Sequence, residues 1–174
     1  MTPGDLYRTC RVSAHRLETL QHYEVANDVE RQQAFHAGHP LPPPRQQKRD
    51  DLKLISELRK AGREIGRVHL VVKPLSEYVR YELAVYAENV AAGEKILIAD
   101  KTADERLTQM NQDFAVFDGG TPEASLILFR YDATGRLDTY EHVSDRTIVK
   151  SYWTQYQRAA KLAVPLETFV LTSP

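Results

Sequence analysis

The fold of this chain is decided by residues 67–99, which read RVHLVVKPLSEYVRYELAVYAENVAAGEKILIA. Arg67–Val72 is rich in β-branched residues and predicts a strand. Ser76 is a favourable N-cap for the amphipathic helix that follows, and Gly93 is a favourable end for it. Lys95–Ala99 predicts the next strand. Strand, helix and strand at this spacing predict a parallel pair joined by a right-handed crossover.

The residues after this unit predict more strands and one long helix. The predicted elements are strands at Asp113–Asp118 and Ser125–Tyr131, a turn at Asp132–Gly135, a returning strand to Val143, and a helix capped by Ser144 or Asp145 and stopped by Pro165. We therefore expect four or five strands in one mixed sheet flanked by helices. The predicted fold class is α/β, in the mixed α+β sense, as a single domain.

The N-terminal part is predicted to be less regular. The expected division is an N-terminal extension at 1–38 that packs on the core, a Pro-rich linker at 39–50 and a core domain at 51–174. The extension contains a strand-like segment at Arg16–Tyr23 and a short helix at Asp28–His36. The linker holds four of the nine prolines and predicts an extended connection. Asp50 and Asp51 are expected to cap the first core helix.

Composition excludes several classes of protein. The 174 residues are enough for one buried core. The 23 Lys and Arg nearly balance the 24 Asp and Glu, for a net charge of -1, so we expect no direct nucleic-acid binding. The single cysteine, Cys10, indicates a reducing compartment, and no apolar run is long enough for a membrane span. These features predict a cytoplasmic protein.

Several motifs along the chain resemble those of one family. They are SA at 13–14, LE at 17–18, Tyr23, Phe35 near Gly38, PLSEYVRYE at 74–82, NVAAGE at 89–94, DFAVFD at 113–118 and YDATG at 131–135. In these motifs, over about residues 13–169, the chain resembles an actinomycete domain-of-unknown-function family encoded beside WhiJ-type helix-turn-helix regulators. It departs from that family at His15 and Arg16, where aromatic or apolar residues are usual. The resemblance implies a regulatory or accessory protein whose partner is a helix-turn-helix regulator or another small protein.

The order of elements also resembles one half of a phospholipase D-like domain with a degenerate motif. That family's nucleophile motif reads His-x-Lys-x4-Asp. When its Asp is laid on Asp118, Asn111 takes the position of the nucleophile and Asp113 that of the phosphate-binding Lys. Since Asn is no nucleophile and Asp repels phosphate, we expect no phosphodiesterase activity.

Tyr78, Arg80 and Glu82 are the first candidate ligand-binding residues. They lie just after the Arg67–Val72 strand, where parallel sheets usually place ligands. Arg80 is predicted to hold a carboxylate or phosphate, with a tyrosine closing over it. The alternative is that Arg80 forms an ordinary surface pair with Glu77.

The shared motifs add Glu18, Tyr23, Asp113 and Asp118 to the candidate ligand-binding residues. Asp113 and Asp118 lie at opposite ends of one strand, and the alternative for both is that they cap turn amides. An enzyme would need a general base, for which the candidates are Glu82, Glu94, His69 and His142. No catalytic residue or cofactor is predicted, because the sequence has no Gly-rich phosphate loop, no Gly-x-Ser-x-Gly elbow and no Rossmann fingerprint. No metal ligand is predicted, because Gly38 and Pro40 interrupt the HxxH pair at His36 and His39.

Together these patterns favour a non-enzymatic regulatory or accessory module that binds a small acidic ligand or a helix-turn-helix regulator. The alternative is a hydrolase or lyase on a phospholipase D-like scaffold with a non-standard active site. A purely structural partner of a regulator, and a homodimer, also remain open.

Overall fold

A mixed sheet of seven strands lies at the centre of the protein, whose computed structural model describes residues 1–25 and 28–172. The strands in the described residues are β1 (Ser13–Glu18), β2 (Glu64–Val71), β3 (Lys95–Asp100), β4 (Phe114–Phe117), β5 (Ser125–Tyr131), β6 (Leu137–Val143) and β7 (Val164–Pro165). The helices are α1 (Pro3–Thr9), α2 (Val29–His36), α3 (Gln46–Lys60), α4 (Glu77–Ala92), α5 (Glu105–Thr108), α6 (Arg146–Leu162) and α7 (Leu166–Thr172). The predicted fold class, a single α/β domain with a mixed sheet flanked by helices, is confirmed.

The strand order is β6-β5-β4-β1-β2-β3-β7. β1, β2 and β3 are parallel to one another, and the other neighbouring strands pair antiparallel. The predicted parallel pair formed by Arg67–Val72 and Lys95–Ala99 is therefore confirmed as β2 and β3. β4, β5 and β6 follow one another along the chain and pair antiparallel in that order, whereas β4 also pairs with β1, and β7 with β3, over long sequence separations.

β1 lies in the middle of this sheet, between β4 and β2. Its side chains are buried except that of Arg16, which is half-buried. The expected four or five strands were too few, because β1 was assigned to the extension at 1–38 and the two-residue β7 was not foreseen. The charged residues Arg16 and Glu18 of β1 are paired inside the protein. Residues 26, 27, 173 and 174, which fall within the predicted ranges 1–38 and 51–174, lie outside the described residues.

Two helix starts show how local sequence positions the elements. Ser76 accepts a hydrogen bond from the amide of Val79 at the start of α4, and Gly93 ends α4 with a φ of 102°, as predicted. α3 begins at Gln46, inside the predicted linker, and not at Asp50 and Asp51. Arg45, whose backbone is extended directly after the proline run, stands at the N-cap position, and the first turn of α3 holds no acidic residue.

Helices cover both faces of the sheet. α6 packs on one face over Leu17, Val68 and Leu126, while α1, α3, α4 and α7 cover the other. In the described part of the chain, no helix combines the length and the apolar character needed to cross a bilayer.

Candidate functional site: a charged cavity beside helix α4

β1 and β2 carry charged and polar side chains on the sheet face that points toward α4. In the parallel register, Arg16 pairs with Arg67 and Glu18 pairs with His69. Since side chains alternate along a strand, Leu17 between them points to the opposite face and packs under α6. The sequence thus places two guanidinium groups, a carboxylate and an imidazole side by side in the interior.

Glu18 is the centre of this group. Arg16 Nε lies 3.1 Å from Glu18 Oε1, and Arg67 Nη1 lies 3.0 Å from both carboxylate oxygens. The hydroxyl of Tyr86 on α4 donates to Oε2 at 2.7 Å. Although burial raises the pKa of Glu18, the guanidinium groups of Arg16 and Arg67 outweigh it and hold that pKa well below its usual range. Glu18 is therefore ionised and its oxygens are occupied.

A second carboxylate balances the other side of Arg67. Arg67 Nε donates to Glu94 Oε1 at 3.0 Å, and the side-chain amide of Asn89 donates to Glu94 Oε2. The Asn89 carbonyl oxygen in turn accepts from Lys48 Nζ of α3. Arg16, Arg67, Glu18 and Glu94 therefore form a network with no net charge. Lys48, at the end of this network, contacts the uncharged side-chain amide of Asn89.

His69 and Glu82 form a separate pair next to Glu18. His69 is fully buried; its Nε2 lies 2.8 Å from the carbonyl oxygen of Leu20, and its Nδ1 lies 3.4 Å from Glu82 Oε2. Glu82 Oε2 is buried and has no hydrogen-bond partner among the described residues. Burial, with a smaller contribution from Glu18, raises the pKa of Glu82 to about 7, against the opposing effect of His69.

The groups around His69 fix the role of one of its ring nitrogens and leave the other facing Tyr86 and Glu82. Nε2 must carry a hydrogen, because a carbonyl can only accept. The hydrogen of Tyr86 is committed to Glu18, so the Tyr86 oxygen, 3.0 Å from His69 Nδ1, can only accept there. Nδ1 therefore faces the Tyr86 oxygen at 3.0 Å and the Glu82 carboxyl at 3.4 Å.

Glu18, His69 and Glu82 each offer a ligand atom, and these atoms lie within 4.8 Å of one another. A metal ion there would have to displace the arginines from Glu18 and sit next to two positive charges. The arrangement suits a proton better than a divalent cation.

This group lies at the wall of a cavity of about 650 Å³, which we call the polar cavity. Five tyrosines line it, namely Tyr23, Tyr78, Tyr81, Tyr86 and Tyr131. Helix α2 is held against α4 at its mouth, because the Tyr81 hydroxyl bonds Asp28 and the buried Arg31 pairs with Glu88. The cavity is thus enclosed by elements from both halves of the chain.

A family model for a domain of unknown function, DUF6879, matches residues 2–171. The chain belongs to the DUF6879 family. No curated protein matches it. Since the match covers the strand β1 as well as α4 and β5, the residues around the polar cavity all lie within the DUF6879 domain.

Four of the seven residues predicted as ligand-binding line the polar cavity of this DUF6879 domain: Glu18, Tyr23, Tyr78 and Glu82. Asp113 and Asp118 do not. Asp113 accepts from the amide of Thr19 at 2.8 Å and from the Tyr23 hydroxyl at 2.6 Å, so it supports the cavity from behind. Asp118 accepts from the amides of Arg11, Val12 and Ser13. Both carboxylates thus accept from backbone amides at the two ends of β1, whereas the alternative prediction placed such contacts in a turn beside their own strand.

Arg80 lies on the other flank of α4, away from the polar cavity. It is exposed, and its Nε lies 3.5 Å from the carbonyl oxygen of Leu75. The guanidinium groups near Glu18 belong to Arg16 and Arg67. Arg80 was expected to share a site with Tyr78 and Glu82, but on a helix a shift of two residues points a side chain to a different face.

Arg16, Arg67 and Tyr86 were missed as site residues, and His69 was considered only as a general base. A signal was available, because Arg16-x-Glu18 and Arg67-x-His69 repeat at period two within apolar strands. In neighbouring parallel strands, such residues share one buried face. The Asn111 of the phospholipase D-like alignment accepts from Lys101 and does not line the polar cavity.

Proposed function

We propose that this protein is a non-enzymatic regulatory or accessory module that binds a small acidic ligand in the polar cavity. The observation that carries the proposal is the Lys48 ammonium at the cavity wall, which no carboxylate among the described residues pairs within 4.0 Å, together with the unpartnered Oε2 of Glu82. Buried charge costs stability unless it is paired, and groups with shifted pKa values concentrate at functional sites.

The chemistry of the lining suggests what the ligand carries. Arg16 and Arg67 are neutralised by Glu18 and Glu94, whereas no carboxylate among the described residues lies within 4.0 Å of Lys48 Nζ. Lys48 is therefore the anchor for an anionic group, and Glu82 is the acceptor for a hydrogen-bond donor. Lys48 contacts Asn89, and Glu82 lies two helical turns before Asn89, roughly 10 Å along α4. A ligand of the size of a nucleoside monophosphate or an acidic dipeptide spans that distance.

The test is isothermal titration calorimetry with nucleoside monophosphates and with dipeptides that end in glutamate. We expect binding that weakens about tenfold in Lys48→Ala and in Glu82→Ala, since each loses one charge-assisted contact. Arg80→Ala, on the opposite flank of the same helix, is the matched control and should bind like the wild type. Loss of binding in Arg80→Ala alone, or no binding by any probe, contradicts the proposal.

The regulatory role, the cytoplasmic location and a helix-turn-helix partner are further parts of this proposal. The family resemblance described above supports the role and the partner, and the lone Cys10 supports the location.

A second candidate is a hydrolase or lyase, which one observation favours. Glu82 has a raised pKa near neutrality and is backed by His69, as a general acid or base requires. If this is correct, a probe that binds will be converted at a rate that Glu82→Gln abolishes while binding persists. If every probe that binds is recovered unchanged after prolonged incubation, the hydrolase or lyase alternative is rejected.

A further inference from the structure

A groove on the outer flank of α4 is the second large concavity of the described residues. It lies between α4 and α7, has a volume of about 700 Å³, and is lined mainly by apolar side chains that include Leu83, Ala87 and Val90 of α4. We call it the apolar groove. The alanines leave it concave, since they put only a methyl group on the helix surface.

Apolar side chains next to this groove are unusually exposed. Leu171 at the end of α7 is 85% exposed, Val170 51% and Val90 42%. Single exposed apolar residues are ordinary, but a contiguous patch beside a concavity marks an interaction surface.

The groove also carries one charge of each sign. Arg80 lies in the first turn of α4 and Glu167 in the first turn of α7, and both line the groove. Among the described residues, neither has a partner of opposite charge within 4.0 Å. Their separation within one chain leaves both available to another molecule.

We propose that a second copy of this chain covers the apolar groove, in a symmetric dimer. In a twofold arrangement each contact occurs twice, so a surface must be complementary to itself. This surface meets that condition, because Arg80 of each copy can pair with Glu167 of the other while Leu171 of each copy enters the opposite groove. The inference is independent of the ligand proposed for the polar cavity.

Charge reversal provides the test, with the dimer dissociation constant measured by analytical ultracentrifugation. Arg80→Glu and Glu167→Arg should each weaken the dimer about tenfold or more, because each puts like charges in contact. The double variant restores the pairs with their signs exchanged and should recover most of the affinity. Leu171→Asp should give a monomer, and Lys150→Glu on the exposed side of α6 should dimerise like the wild type.

Circular dichroism confirms that each variant is folded. A wild-type protein that stays monomeric up to millimolar concentration overturns the proposal, even if the groove proves to bind a different protein. The proposal is also overturned if the double variant dimerises no more tightly than the two single variants do.

Discussion

The two flanks of helix α4 differ in what they bury. Toward the sheet, Tyr78, Glu82 and Tyr86 line the polar cavity beside the ion pairs of Glu18. Toward α7, Leu83 and neighbouring small apolar residues face an open groove with Arg80 at its edge. Arginine therefore has different surroundings on the two sides of one helix: Arg67 lies between two glutamates, whereas Arg80 has no partner of opposite charge within 4.0 Å among the described residues.

Of the substitutions that test this difference, Glu18→Gln is expected to change the free energy of unfolding most. The change leaves Arg16 and Arg67 without the charge that both contact, and removing one partner of a buried ion pair costs about 3 to 5 kcal/mol. Urea unfolding at pH 7 measures the loss. Glu167→Gln in the apolar groove is the control and should change stability very little; a loss below about 1 kcal/mol for Glu18→Gln would contradict the account.

The second effect is the pH dependence of stability that Glu82 causes. Its pKa rises from 4.5 to about 7 on folding, so the folded state binds the extra proton and stability falls as pH rises through this range. Between pH 5 and pH 8 the wild type should lose about 2 to 3 kcal/mol more than Glu82→Gln does. His69, Glu18, Arg67, Tyr78 and Tyr86 face Glu82 and are retained in both proteins. Parallel slopes of stability against pH for the two proteins would show that Glu82 does not titrate there.

The third effect concerns the Tyr86 hydroxyl, which contacts both Glu18 and His69. Tyr86→Phe removes the donor to Glu18 and the acceptor at His69 Nδ1, and should destabilise the protein by about 1 to 3 kcal/mol. Tyr140→Phe on the exposed strand β6 is the matched control. Equal unfolding midpoints in urea for the two variants would show that the hydrogen bonds of Tyr86 do not stabilise the protein.

The smallest effect is expected on the outer flank. Arg80→Ala should change the free energy of unfolding by less than about 0.5 kcal/mol when measured on dilute, monomeric protein. A loss of several kcal/mol would mean that Arg80 is a structural partner of a buried carboxylate, and the contrast between the flanks would fail.

Much of the fold was predictable from the sequence because its signals are local. Ser76 and Gly93 bound α4, and apolar runs identify β2, β3 and β5. β1 was misplaced because its charges are neutralised by residues such as Arg67, 49 positions away along the chain. The candidate site was predicted only in part for the same reason. Glu82 and Tyr78 could be found from their place after a strand, but their partners depend on strand register.

At the wall of the polar cavity, the raised pKa of Glu82 means that its carboxyl holds a proton up to neutral pH. The most direct measurement is a ¹³C NMR titration of the Glu82 side-chain carboxyl in the folded protein, assigned by its loss in Glu82→Gln. We expect a titration midpoint near 7, well above the ordinary value of 4.5. A midpoint close to 4.5, with no inflection near neutrality, would contradict it.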